Sequence, residues 1–129
     1  MHVLVVSPAY AELIVAGVKT LESRLSRTRR EPFGRVEPGD VLHIRAGGRY
    51  VAVARAGRVE CEEGLTPALV RELRDRVEAR VLGGRDYWSE RLAARYATIV
   101  ELTCVRACAR GPSIAPLSGA GWRVLSASR

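Results

Sequence analysis

Lysine is all but missing from this sequence. The chain of 129 residues carries 21 strong bases, and every one except Lys19 is an arginine. Arginine stays protonated under any protein condition, whereas a desolvated lysine can lose its proton and act as base or nucleophile. The single position that departs from arginine is therefore marked for chemistry as well as for charge. Aromatic residues are also scarce, at 5% of the chain, so few rings remain for a base-stacking platform once a core is filled. The three cysteines, Cys61, Cys104 and Cys108, are an odd number and form no CxxC pair. That argues against a disulfide framework and for reduced, partly buried thiols. No apolar run approaches the roughly 20 residues of a membrane span. The opening MHVLVVSPAY lacks a basic leader and a cleavage site, so a cytoplasmic protein without a membrane partner is expected. Internal repeats and low-complexity tracts are absent as well.

What is abundant is positive charge. The formal net charge is +7 and the pI is near 10.1, a balance that favours polyanionic partners such as nucleic acid or acidic headgroups. Arginine-rich usage beside many Ala, Gly and Val residues is also what a biased genome produces. Clustering adds to the charge argument: RLSRTRREPFGR places Arg24, Arg27, Arg29, Arg30 and Arg35 in one expected loop with few acids. The length suits one compact domain, residues 1–129, with a small core.

Periodicity gives the order β-α-β-β-β-α-α-β-β. HVLVVS reads as a buried strand of branched residues, and PAYAELIVAG as a short amphipathic helix begun by Pro8 and stopped by Gly17. KTLESRL alternates as a strand, with Lys19 at its entrance and Thr20, Glu22 and Arg24 on one face. A Pro-Gly-Asp turn and Gly47-Gly48 frame a hairpin. LTPALVRELRDRVEARVLGG is a helix with Thr66 as N-cap and Leu69, Val70, Leu73 and Val77 on one stripe. A second short helix is expected from Trp88 to Tyr96, then a strand through ATIVELTCVRAC and a last one at WRVLSA. This is an α+β pattern with enough strands for a small curled sheet or barrel.

SPAYAELIVAGVKTLESRL followed by VEPGDVLHIRAGG resembles the N-terminal half of ASCH domains, members of the PUA-like superfamily. There a helix ends at a Gly-x-Lys-Thr-x-Glu-x-Arg element and a Gly-Asp strand follows. The matching positions are Gly17, Lys19, Thr20, Glu22 and Arg24, then Gly39 and Asp40. YATIVELTCV and GWRVL resemble the closing strands, while residues 57 to 96 match only in being helical. The resemblance implies a small PUA-like β-barrel with flanking helices and a cleft beside the motif. It implies binding of RNA or a modified nucleotide, without a cofactor. Some single-domain ASCH members are amidohydrolases that deacylate N4-acetylcytidine, and others cleave RNA, so the fold leaves the activity open.

Lys19, Thr20 and Glu22 are the candidate catalytic residues. The amine would serve as base or nucleophile, Glu22 would exchange a proton with it, and the Thr20 hydroxyl would donate to a carbonyl or be activated itself. A surface Lys19–Glu22 pair, worth under about 1 kcal/mol, is the alternative reading. The family's acylcytidine hydrolases use a Lys, a Thr and a Glu; Lys19 fits, Glu22 stands where their Thr would be, and Glu62, Glu63 and Glu72 are middle-region candidates for the acid. Arg24, Tyr10 and Ser118 are candidate ligand contacts, Ser118 in the glycine loop PLSGAGW and Tyr10 as the end of an apolar stripe. Arg27, Arg29, Arg30 and Arg35 are candidate RNA contacts. His2, His43, Cys104 and Cys108 fit no standard zinc spacing, which argues against a metal. Trp122 is expected in the core, while Tyr50, Tyr87 and Trp88 could serve either a core or a stacking surface.

Overall fold

The computed structural model describes residues 1–115 and 121–125. Along the chain the elements are β1 (His2–Val5), α1 (Pro8–Val15), β2 (Leu21–Ser26), β3 (Val41–Ala46), β4 (Arg49–Glu63), α2 (Pro67–Val81), α3 (Arg85–Ser89), β5 (Tyr96–Ala107) and β6 (Trp122–Val124). The strands form one sheet in the order β2-β5-β4-β3-β1-β6. Among the described residues only β1 and β3 pair in parallel, as the α1 crossover between them requires.

Local sequence explains the start of the chain. Ser7 caps α1, its hydroxyl accepting from the Tyr10 amide at 3.1 Å, and Pro8 occupies the first turn, where its missing N–H costs nothing. The helix stops at Gly17, whose φ of +78° a side chain would oppose. The amides of Val18 and Lys19 then both bond the Leu13 carbonyl, and the chain turns back so that Lys19 enters the interior. In the following hairpin, Gly39 at φ +92° leads into Asp40, whose carboxylate accepts from the Glu37 amide at 3.0 Å and from His2 at 2.8 Å.

The sheet separates two apolar clusters. On one side Leu4, Ile14, Leu42, Ile44, Val100 and Trp122 pack beneath α1. On the other α2 lays Val70, Leu73, Val77 and Val81 against Leu21, Ala97 and Ile99. Each fully buried aliphatic side chain of this kind contributes roughly 1.5–3 kcal/mol. The two longest strands, β4 and β5, lose register between Val53 and Arg55 and again between Ala56 and Val59, and Cys104 at this irregularity has φ +51°. Such bulges strengthen twist and curl the sheet, which brings its edges β2 and β6 towards each other. They do not pair as strands; instead Arg24 of β2 crosses the gap and donates to the Val5 carbonyl of β1 at 3.0 Å. Arg24 also lies over the Trp122 ring of β6, 5.3 Å from its centroid.

Four expectations need correction. The second short helix runs Arg85–Ser89, and Tyr96 begins β5. Leu69 stands outside the α2 stripe, 42% exposed, and Val81 completes the buried face. Cys61 and Cys104 are exposed rather than partly buried: Cys61 lies near the end of the long β4, and Cys104 at the break in the β4–β5 register. Arg24 belongs to strand β2 and not to the arginine loop. Ser118 lies outside the described residues. Among the described residues, no helix is long and apolar enough to cross a membrane.

Candidate functional site

The gap between β2 and β6 holds a cavity of about 420 Å³. Its walls are the side chains of β2, the end of β1 with Ser7 and Tyr10, the loop at residues 30–33, Tyr87 and Arg91 beyond α2, and Tyr96 with Trp122. Five of the chain's seven aromatic side chains, Tyr10, Phe33, Tyr87, Tyr96 and Trp122, converge on it. A protein so poor in rings has placed most of them around one space.

Glu22 is the charged centre of the wall and is only 5% exposed. One carboxylate oxygen accepts from the Ser23 amide at 3.2 Å and stands 3.6 Å from the Lys19 amine; the other accepts from Arg24 at 2.9 Å. Burial pushes the carboxyl upward, but Arg24, Lys19 and these hydrogen bonds together outweigh it and hold Glu22 below the usual range. It is ionised at neutral pH.

Lys19 lies behind this carboxylate and not on the cavity. Its side chain is 1% exposed; the amine donates to the Val81 carbonyl at the end of α2 and sits 4.8 Å from the centroid of the Tyr10 ring. Burial lowers its pKa from the ordinary lysine value, opposed chiefly by Glu22. A carbonyl, a carboxylate and an aromatic face therefore surround the ammonium. This is an environment for a compact cation, and a bulkier guanidinium would need room and partners for five N–H groups.

Of the expected site residues the structure brings Glu22, Arg24, Tyr10 and Arg30 to the cavity, together with the candidate stacking ring Tyr87, while Lys19, Thr20, Arg27, Arg29 and Arg35 are not among the lining residues. Thr20 precedes β2, and its hydroxyl accepts from Arg80 at 2.8 Å. Arg29 stacks on Phe33 at 4.8 Å and approaches Glu63 to 3.7 Å; Arg35 pairs with Glu31 at 3.0 Å. Glu62 approaches Arg76 at 3.9 Å, and Glu72 is exposed on α2. The middle-region acid electrostatically linked to both Lys19 and Tyr10 is Glu78. Its two oxygens accept from Gly83, Gly84 and the Trp88 indole, each at 2.8 Å, so it ties α2 to α3. Sequence gave no reason to prefer it to its neighbours. The Tyr87–Arg91 pair was also missed, though its spacing of four was a visible signal: Arg91 lies over the Tyr87 ring at 3.7 Å.

Burial raises the pKa of Tyr87 first of all. Its hydroxyl is a neutral donor or acceptor, placed 2.6 Å from that of Ser23. Behind Trp122, His2 accepts from the indole at 3.2 Å through Nδ1 and faces Asp40 through Nε2, so the wall ring is held by a buried polar chain. Among the described residues no three His, Cys, Asp or Glu side chains gather as a metal would need. The site can thus offer stacking surfaces, hydroxyls such as those of Ser23 and Tyr87, the ionised Glu22 and arginines at the rim.

Among solved structures, the ASCH protein of Zymomonas mobilis matches this chain with a TM-score of 0.64 at 20% identity, over 82% of this chain and 68% of that one. A point variant of the same protein gives 0.65 at 19% identity, over 82% and 70%. A hypothetical protein matches with a TM-score of 0.51 at 19% identity, over 82% of this chain and 97% of its own. No family model matches the chain, and no curated protein matches it in sequence. The chain has the α+β, PUA-like barrel fold of ASCH proteins.

Proposed function

We propose that this protein is an ASCH-type domain that binds RNA or a modified nucleotide, the base entering the cavity between β2 and β6. The observation that carries the reading is the convergence of five rings on a cavity whose wall holds the ionised Glu22. Rings supply stacking that any base can use, at about 1–3 kcal/mol per base. Glu22 accepts from an exocyclic amino group or ring N–H, and Arg24 and Arg30 face an anionic backbone. Lys19 is a positioning residue: it keeps Glu22 charged and in place. Net charge of +7 supports a polyanionic ligand.

Deacylation of N4-acetylcytidine and cleavage of RNA would draw on the same cavity. In either, the expected catalytic pair Lys19 and Thr20 would have to reach the substrate. With Lys19 enclosed and Thr20 held by Arg80, binding without turnover is the better supported reading. Equilibrium titration with cytidine, N4-acetylcytidine and a short single-stranded RNA tests it, on wild type and Phe33→Ala. Losing one stacking ring should weaken base-bearing ligands by about tenfold, with no acetate released. Unchanged affinity in Phe33→Ala removes the cavity as the binding site, and Lys19-dependent release of acetate replaces binding by hydrolysis.

A further inference from the structure

The crevice between α2 and α3 stands apart from the ring-lined cavity. It encloses about 310 Å³, and among the described residues the two share no wall residue. Its floor is apolar: Val70 of α2 is wholly buried, Trp88 of α3 is 2% exposed, and the half-buried Leu92 follows α3. Three arginines stand round this floor, Arg71 and Arg74 on α2 and Arg85 on α3. Among the described residues no acidic side chain lines it. Arg74 is taken by its neighbour Asp75, at 2.8 Å. Arg71 and Arg85 are exposed and meet no carboxylate among the described residues.

The two levels of the crevice select among occupants. A nucleobase needs an open ring face, and the Trp88 ring is closed in: Tyr87 packs against it edge-on with centroids 5.1 Å apart, and its indole N–H donates to Glu78 at 2.8 Å. A small anion held inside would need a cation inside, whereas the two unpaired guanidiniums stand in solvent above the floor. A peptide meets both levels, with an aliphatic side chain below and carboxylates above. We infer that the α2–α3 crevice docks an acidic peptide segment of a protein partner, which seats one aliphatic side chain on Val70, Trp88 and Leu92 and pairs its carboxylates with Arg71 and Arg85. Guanidinium forks match carboxylates in geometry as well as in charge. The net charge of +7 acts at longer range and speeds the encounter with an acidic partner. This surface is separate from the cavity between β2 and β6 and does not depend on what binds there.

The test uses the whole protein and three capped peptides: Glu-Asp-Leu-Glu-Asp, the same peptide with glycine in place of leucine, and Gln-Asn-Leu-Gln-Asn. NMR follows the Trp88 indole N–H at the crevice, with that of Trp122 as the remote control. The acidic leucine peptide should shift Trp88 saturably and leave Trp122 in place. Glycine in place of leucine should weaken binding by about tenfold, as expected for one buried aliphatic side chain. Loss of the acids should weaken it by about tenfold as well. The double variant Arg71→Glu, Arg85→Glu should bind the acidic leucine peptide at least about tenfold less tightly. Its thermal unfolding should be unchanged, since neither arginine has a carboxylate partner to lose. No Trp88 shift in wild type overturns the inference. So does equal binding of the leucine and glycine peptides, or of the acidic and amide peptides, or a double variant that binds as wild type does. A single-stranded RNA or phosphatidylglycerol vesicles whose effect on Trp88 is equally lost in the double variant would make the face a general polyanion surface and also overturn it. The peptide comparisons need wild-type protein alone, so they decide the matter even if the double variant fails to fold.

Discussion

Lys19 is among the largest fully buried side chains of the protein, and three different partners meet its ammonium: the Val81 carbonyl, Glu22 and the Tyr10 ring. Its singularity in an arginine-rich chain then has a steric and electrostatic cause. Replacement by Met leaves Glu22 with Arg24 as its one remaining charged partner, so the roughly 3–5 kcal/mol lost on breaking a buried pair is an upper limit. Replacement by Arg keeps the charge but adds volume and donors to a closed site, which costs about 1–3 kcal/mol. Thermal unfolding should show both variants destabilised; a fully stable Lys19→Arg protein would contradict the enclosed site. Glu22 sets a pH dependence with a definite sign. Its folded pKa lies below the ordinary 4.5, so its contribution is fully present above about 4.5 and is lost as pH falls through the lower folded value. Lys19 acts at the other end: its lowered pKa means that stability rises with pH between that value and the ordinary 10.5. Urea unfolding from pH 6 down to pH 3 should show a smaller loss in Glu22→Gln than in wild type. Parallel loss in both would mean that other carboxylates dominate.

At the scale of elements, the junction of α2 and α3 depends on Glu78. It accepts from two backbone amides and the Trp88 indole, and charged hydrogen bonds of this kind contribute about 1.5–3 kcal/mol. Glu78→Ala should lower the urea midpoint by about 2–3 kcal/mol of stability. It should also weaken base binding, because the Val81 carbonyl beside this junction holds Lys19; normal stability would mean that α3 docks through Trp88 packing alone. The order of elements was legible because periodicities of two and 3.6 survive in β1, α1, β3 and α2, and because Gly17, Gly39 and Gly47-Gly48 mark turns that need positive φ. The start of α3 was not, since a five-residue helix has too few turns to show a stripe. Glu22 and Arg24 were readable from strand alternation, but Thr20 lies before the strand begins and follows a different rule. The ring cluster was beyond sequence: its members come from α1, a loop, α3, β5 and β6. Only the closure of the sheet brings them together.

For the whole molecule, the sheet ends in β2 and β6, unpaired with each other, and Arg24 joins the two edges through Val5, Glu22 and Trp122. The opening that results from incomplete closure is the cavity, so its position follows from topology and its chemistry from the residues on β2. The most direct measurement is an NMR titration of the Trp122 indole N–H with a short single-stranded RNA. That proton is buried against His2 in the cavity wall, while the Trp88 indole, bonded to Glu78 outside the cavity, is an internal control. The expected result is a saturable shift of the Trp122 signal, tracking the Phe33 amide, with Trp88 little changed. Saturation that moves only the amides of exposed arginines, with Trp122 and Phe33 untouched, would contradict binding of a base in the cavity.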